Sequence, residues 1–269
     1  MPIAHLEDRS VIAIAGSEAR AFLQGLITND VEKLDSGKGL YAALLTPQGK
    51  VLFDFFLVEG DGAILIDCSA LSRDALVKRL SLYKLRSKVV IEIRDQLAVL
   101  ALWHGAVARQ AISYPDPRLS KLGQRAIIAK GEMPNDHVAT KEYLQHRLAL
   151  GVPETADFGS DRMFALDADL DELHAIDFDK GCYVGQELTA RMKHRGTARK
   201  RLLPVEFSPT STRVTAITME GREIGEITSN YGTRGFAHIR LDRLSQAGAA
   251  VPHAGEQAIK LIKPSWLFA

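Results

Sequence analysis

Apolar and polar positions along the chain follow two different periods. Residues 11–15 (VIAIA) form an unbroken apolar run, the pattern of a short buried strand. Beyond it Phe22, Leu23, Leu26 and Ile27 recur at helical spacing, predicting a helix capped by Ser17 that ends near Thr28-Asn29-Asp30. From Tyr41 the pattern changes. YAALLT, VLFDFFLV and AILIDC, separated by PQGK and EGDG, predict an antiparallel meander of three strands. Ser72 opens a second helix reaching about Arg86, and KVVIEIR and LAVLALW are β-rich runs. A third helix is predicted from about Asp136 to Leu150, where Gly151 and Pro153 stop it. After Leu202 the runs LLPVEFS, VTAITM, EIGEITSN, GFAHIRL and AIKLI read as short strands between turns, which predicts a small β-barrel. Strands and helices do not alternate as βαβ units, so the fold class is α+β: mixed antiparallel sheets and helices in residues 1–201, then a barrel in 202–269.

Composition adds exclusions. With 269 residues, 46% apolar and 25% charged, the chain can bury a real core. A formal net charge of +1 gives no global field for nucleic acid or a membrane, so any such role has to be local. No window approaches the ~20 consecutive apolar residues of a membrane span, and the opening MPIAHLEDRSVIAIAG lacks the basic start and long apolar run of a targeting signal. The expectation is a cytoplasmic protein without a membrane partner. Its two cysteines, Cys68 and Cys182, lie far apart outside any metal-ligand spacing, so no permanently bound metal or cluster is expected from this chain alone.

Charge is distributed unevenly around Cys182. Residues 151–180 carry Asp157, Asp161, Asp167, Asp169, Asp171, Glu172, Asp177 and Asp179, whereas Arg191, Lys193, Arg195, Arg199, Lys200 and Arg201 follow without an acid among them. That basic run has no interleaved aromatics, so it offers poor platforms for single-stranded RNA, and direct nucleic-acid binding is not expected. It reads as lining a pocket mouth or as pairing with the acidic stretch in a solvated network. Between the two lies Asp179-Lys180-Gly181-Cys182-Tyr183-Val184-Gly185-Gln186-Glu187. Gly181 and Gly185 allow positive φ or close backbone approach, and good helix formers start at Gln186. A thiol just ahead of a helix, with Lys180 nearby, is expected to favour the thiolate. A small buried hydrophobe in a tight turn fits the same residues.

The run Lys180 to Glu187 resembles the K-G-C-Y-x-G-Q-E signature of YgfZ-type folate-binding proteins, a family that includes a mitochondrial iron–sulfur assembly factor and is related to the glycine-cleavage T-protein, an aminomethyltransferase. Phe22 to Asp30, 41–58, 82–91, 147–154 and 224–242 resemble further blocks of that family in the same order. The resemblance implies a T-protein-like folate-binding core over 1–201 around a central pocket, closed by the barrel at 202–269. It implies tetrahydrofolate or a derivative as cofactor, Cys182 as the functional thiol, and Lys180, Tyr183, Gln186, Glu187, Arg191, Asn29 and Asp30 as cofactor-binding residues. Tyr183 would stack on a pteridine, Gln186 and Glu187 would bond its edge, and basic groups would meet glutamyl carboxylates. Glu187 as a first-turn acid and Tyr183 as core packing are the structural alternatives.

Two departures from the family separate the functional readings. The T-protein's L-R-x-E-A-G motif corresponds to His146–Gly151, which puts Ala149 where its glutamate stands, and alanine cannot manage protons for methylene transfer. A Pro-His-Glu block found in many relatives corresponds to Phe164-Ala165-Leu166-Asp167, leaving Asp167 as its polar member. The resemblance therefore implies an accessory protein, with reduced folate and iron–sulfur client enzymes as partners, tRNA-modifying enzymes included. A tetrahydrofolate-dependent aminomethyltransferase or demethylase is the alternative.

Overall fold

The computed structural model describes residues 1–196, 199–207, 215–248 and 250–268. Strands β1 (Ile3–His5) and β2 (Arg9–Ala15) lead into helix α1 (Ala19–Gln24). The expected meander follows as β3 (Leu40–Leu45), β4 (Val51–Gly60) and β5 (Ala63–Ser69), then helix α2 (Arg73–Lys84) and strand β6 (Val90–Ile93). These strands make a five-stranded antiparallel sheet in the order β3-β4-β5-β2-β6. It is buried on both faces. Phe53, Phe55 and Leu57 of β4 meet α1 and α2, while Val51, Phe56 and Val58 face a second sheet, which is why β4, Asp54 apart, is apolar from Val51 to Val58 rather than alternating.

The second sheet collects β7 (Leu97–Leu102), β8 (Ile112–Pro115) and β9 (Gln124–Ala129) around β1, in the order β1-β7-β9-β8. Although β6 and β7 are neighbours in sequence, they belong to different sheets, so the chain changes layer between Ile93 and Leu97. Helix α3 (Thr140–Leu150) ends at Gly151, and the short α4 (Thr155–Phe158) follows. Residues 159–185 lie outside helices and strands, yet Leu166, Ala168, Leu170, Leu173 and Ala175 lie deep in the main core. Helix α5 (Gln186–His194) leads to the third sheet.

That sheet comprises β10 (Lys200–Glu206), β11 (Ala216–Met219), β12 (Arg222–Asn230), β13 (Arg234–Arg240), β14 (His253–Ala254), β15 (Gln257–Ala258) and β16 (Lys260–Leu261), with helix α6 (Leu241–Gln246) after β13. Its order is β15-β14-β11-β12-β13-β10-β16. The two terminal strands of this ladder are joined through Ile259 alone, so the sheet nearly closes on itself around Val205, Ile217, Ile224 and Ile239.

Candidate functional site

The segment around Cys182 is held from both sides. Upstream, the Lys180 side chain is buried and its Nζ donates to the backbone carbonyls of Gln24 (2.9 Å), Ile27 (2.8 Å) and Asn29 (2.6 Å). α1 ends at Gln24, earlier than the sequence pattern predicts, and this ammonium satisfies carbonyls that the helix and its exit leave open. Asn29 is equally engaged: its Nδ2 donates to the Tyr41 and His174 carbonyls at 2.8 Å each, and its Oδ1 accepts from Asp30 N. Asp30 Oδ1 accepts from Gln24 Nε2 at 2.8 Å and from Glu32 N at 3.1 Å. Thr28 Oγ1 donates to the Ala175 carbonyl at 2.6 Å, and Asp177 accepts from Asp179 N, Lys180 N and Lys33 Nζ. The Thr28-Asn29-Asp30 run and the loop 174–180 are therefore stitched together, and burial pulls the Lys180 pKa down to about 8.

Downstream, Gly185 is the N-cap of α5 in a left-handed conformation, φ +83°. A Cβ there would lie 2.5 Å from the Thr46 carbonyl oxygen and 2.9 Å from Leu45 Cβ, so α5 sits directly on the turn between β3 and β4. Gly181 differs. It has no positive φ, and a Cβ there would meet nothing within 4 Å, so the backbone reason expected from the sequence holds at Gly185 and not at Gly181.

Between these anchors Cys182 is exposed, whereas Cys68 is buried on β5, where burial pushes its thiol up to about 12. Cys182 lies upstream of the N-cap, and the Gln186 N–H at the helix start already donates to the Tyr183 carbonyl at 3.2 Å. The electrostatic support expected from the sequence is thus reduced: the helix dipole acts over the first turn, and the Lys180 ammonium is engaged with carbonyls. Tyr183 belongs to the main core with Lys180 Nζ 5.3 Å from its ring centroid, Gln186 is half-buried, and Glu187 and Arg191 are exposed on α5. The structure thus brings Asn29, Asp30, Lys180 and Tyr183 into one packed unit and leaves Cys182, Glu187 and Arg191 to solvent.

A second constellation escaped the sequence reading. Between the first two sheets and α3, Arg9 and Arg125 both bond Asp67 at 2.6 Å, and Arg118 bonds Asp116 (2.8 Å) and Glu154 (2.9 Å). Arg147 bonds Asp157 at 2.7 Å, which also accepts from Ser229 and Tyr231 of the barrel. The guanidinium groups of Arg118 and Arg125 stand 4.7 and 4.0 Å from the Phe56 centroid. Burial would raise Glu154, but Arg147, Arg118, Arg9 and Arg125 outweigh it and hold the carboxyl well below its usual range. Next to this network opens a cleft of about 190 Å³, bordered by Arg9, Tyr143, Arg147, Glu154 and Tyr231. A signal existed: Asp54 and Asp67 interrupt otherwise apolar strands, as does Arg125 in QRAIIA, and charges buried in strands need partners.

Comparison with known proteins fits this architecture. Residues 5–116 match the GCVT N-terminal domain family and residues 199–269 match the CAF17 C-terminal beta-barrel domain family. Over 96% of its length the chain is 30% identical to the mitochondrial iron-sulfur cluster assembly factor IBA57 homolog of Mycosarcoma maydis, covering 79% of that protein. The chain belongs to the IBA57 family. It is also 33% identical to the Homo sapiens IBA57, mitochondrial, over 89% of the chain and 77% of that protein. The crystal structure of the glycine cleavage system aminomethyltransferase T from Bartonella henselae superposes with a TM-score of 0.78 over 99% of this chain and 86% of that one. At 13% identity this shares the fold alone, and it agrees with the expected T-protein-like architecture with a C-terminal barrel.

Membership in the IBA57 family corrects two expectations. The relatives are IBA57 proteins, so the kinship is to the broader group of GCVT-like folds and not to YgfZ in particular. The relatives are also named as mitochondrial, which overturns the cytoplasmic expectation; charge and the opening residues carried no information about compartment. The acidic stretch departs from its expected character as well. It pairs with the basic run, Asp171 with Lys193 and Arg201 at 3.0 Å each, but the Asp171 side chain is fully buried, so this is an internal junction rather than a solvated network. Asp167 lies 3.5 Å from His238 Nε2 on β13, joining core to barrel. Ala149 is exposed on α3 and lines a cavity of about 80 Å³ whose one acid, Glu206, is tied to Arg234 and Lys260.

Proposed function

We propose that the chain acts in iron–sulfur cluster assembly, presenting Cys182 as one ligand of a cluster whose other ligands come from a partner or client protein. The observation that carries this is the exposed sulfur between two immobilised anchors, the Lys180 clamp and the Gly185 contact. One thiolate cannot hold a cluster, but a pinned and accessible one can complete a shared site. The names of the IBA57 relatives support this role. Clients would include enzymes that modify tRNA.

Tetrahydrofolate or a derivative is the proposed small-molecule ligand. Lys180, Asn29 and Asp30 have their polar groups engaged within the protein, so they position the loop, while Gln186, Glu187 and Arg191 remain open to contact. We infer that the flat pteridine ring enters the cleft bordered by Tyr143 and Tyr231, where Glu154, Arg147 and Tyr231 are already bonded within the protein. Its volume is below the ~300–1,000 Å³ that encloses a drug-sized ligand, so it suits the ring with the tail outside.

Cys182→Ala and Cys182→Ser in a null background are expected to abolish recovery of iron–sulfur enzyme activity and tRNA thiomethylation. Full rescue by Cys182→Ala removes the thiol from the mechanism. Calorimetric titration with 5-formyltetrahydrofolate is expected to give saturable heat. No heat removes the folate ligand and leaves the thiol role standing.

A further inference from the structure

Helix α2 buries one apolar face and carries exposed leucines on its other side and at both ends. Leu76 and Leu80 are buried beneath it, and Val77 and Tyr83 pack beside them. On the exposed side Ala75 and Leu82 lie two turns apart, and Leu71 and Leu85 flank the helix just beyond its two ends; the three leucines are 99%, 63% and 88% exposed. Exposed leucines grouped in this way make a surface that water covers poorly. Leu85 sharpens the point. It leaves the helix at φ +43°, ψ −108°, a region costly for any residue with a Cβ, where glycine would serve the chain reversal better. A leucine held there, projecting into solvent, does nothing for the fold.

Cations surround this ridge. Lys78, Arg86 and Lys88 are exposed and Arg79 is half-buried; among the described residues none of them pairs with a carboxylate. The acids nearby are engaged: Asp74 and Asp95 hold Arg73, and Glu18 accepts the Lys88 backbone N–H at 2.9 Å. Leu71 and Leu85 bracket the 12 residues of α2, which run roughly 18 Å at 1.5 Å per residue. Among the described residues no helix is long and apolar enough to cross a membrane.

We propose that this outer face of α2 docks on the surface of an anionic phospholipid bilayer, its leucines entering the headgroup–acyl boundary and Lys78, Arg79, Arg86 and Lys88 meeting lipid phosphates. Leucines on a ridge need no matching pocket in a fluid monolayer, and the local cations supply the charge complementarity that a net charge of +1 conceals. The expectation of no membrane partner rested on that net charge and on the lack of a spanning apolar run, and the proposal departs from it for this patch alone. The proposal is independent of Cys182.

The test is co-sedimentation of the full chain with vesicles of phosphatidylcholine alone and of phosphatidylcholine mixed with phosphatidylglycerol. Binding is expected to the mixed vesicles only and to weaken as salt rises. Lys78→Ala and Arg86→Ala should each weaken it roughly fivefold, since one cation near such a surface contributes about that factor. Leu82→Asn with Leu85→Asn should abolish it with the circular dichroism spectrum unchanged. Leu85→Gly separates function from folding: it should match or exceed wild type in resistance to urea yet bind vesicles more weakly. Absence of binding to mixed vesicles, equal binding to both kinds, or unimpaired binding by the double variant overturns the proposal. So does light scattering that finds the ridge consumed in a dimer which Leu82→Asn dissolves.

Discussion

Gly181 and Gly185 flank the same cysteine and carry opposite expectations for an added methyl group. At Gly185 a Cβ would lie 2.5 Å from the Thr46 oxygen, 2.9 Å from Leu45 Cβ and 3.2 Å from Gly49 Cα, at φ +83°. The oxygen cannot retreat freely, because Thr46 O accepts from Gly49 N and Thr46 N donates to Lys50 O, both at 2.8 Å. The left-handed backbone costs an alanine about 1–2 kcal/mol. Overpacking against a fixed turn adds about 1–3 kcal/mol. Gly185→Ala should therefore destabilise by about 2–5 kcal/mol. Gly181→Ala meets open space at an ordinary φ and should lie near zero, or stabilise by up to about 1 kcal/mol through the unfolded chain. Urea unfolding followed by circular dichroism measures both, and the rate of Cys182 alkylation in native buffer reports whether the loop has moved. The reasoning is refuted if Gly185→Ala unfolds within about 0.5 kcal/mol of wild type, the usual scatter of surface substitutions, or if the two variants lose equal stability.

Three further outcomes are expected. Lys180→Met leaves three carbonyls without their donor and should cost about 2–4 kcal/mol after relief of the buried charge. The unfolded chain keeps that proton to about 10.5 and the folded one to about 8, so this group's contribution rises with pH between those values; urea midpoints of wild type and variant should diverge there, and parallel profiles would refute the burial. In native buffer a disulfide reagent should titrate one fast thiol per chain, lost in Cys182→Ser, with Cys68 reacting only on unfolding. Burial opposes the ionised form of Asp177, but the Lys33 hydrogen bond and two backbone N–H groups hold its pKa below 3.8; stability should fall as acid protonates the unfolded carboxyl first, and Asp177→Asn should flatten that acid limb of the urea-midpoint profile.

The sequence reveals the elements whose period is long and clean. The β3–β4–β5 meander, the Gly151 stop of α3, α5 from Gln186 and most barrel strands stand where the pattern predicts, Ser208 and Val214 lying outside the described residues, whereas α3 begins at Thr140 rather than near Asp136 and AIKLI is divided at Ile259. α1 is shorter than its apolar spacing indicates, because Leu26 and Ile27 are buried in the exit turn rather than in a helix, and Glu18 replaces Ser17 at its start. Periodicity records that a side chain is buried and not which backbone buries it. The site was legible as a motif but not as geometry. Spacing could not show that Lys180 reaches back to residues 24–29, since such pairs are distant in sequence. The arginine network was hidden for the same reason: each charge reads as isolated until the two sheets are stacked.

The barrel's closing stitch also determines how the fold is completed. Both rims of the third sheet belong to one short stretch, β15 and β16 on either side of Ile259. While the ribosome still conceals that stretch, β14 and β10 have open hydrogen-bonding edges, the kind of template that recruits stray strands. Closure of this sheet therefore waits on Gln257–Leu261, and a chain clipped ahead of Gln257 bares two sticky margins in a single event.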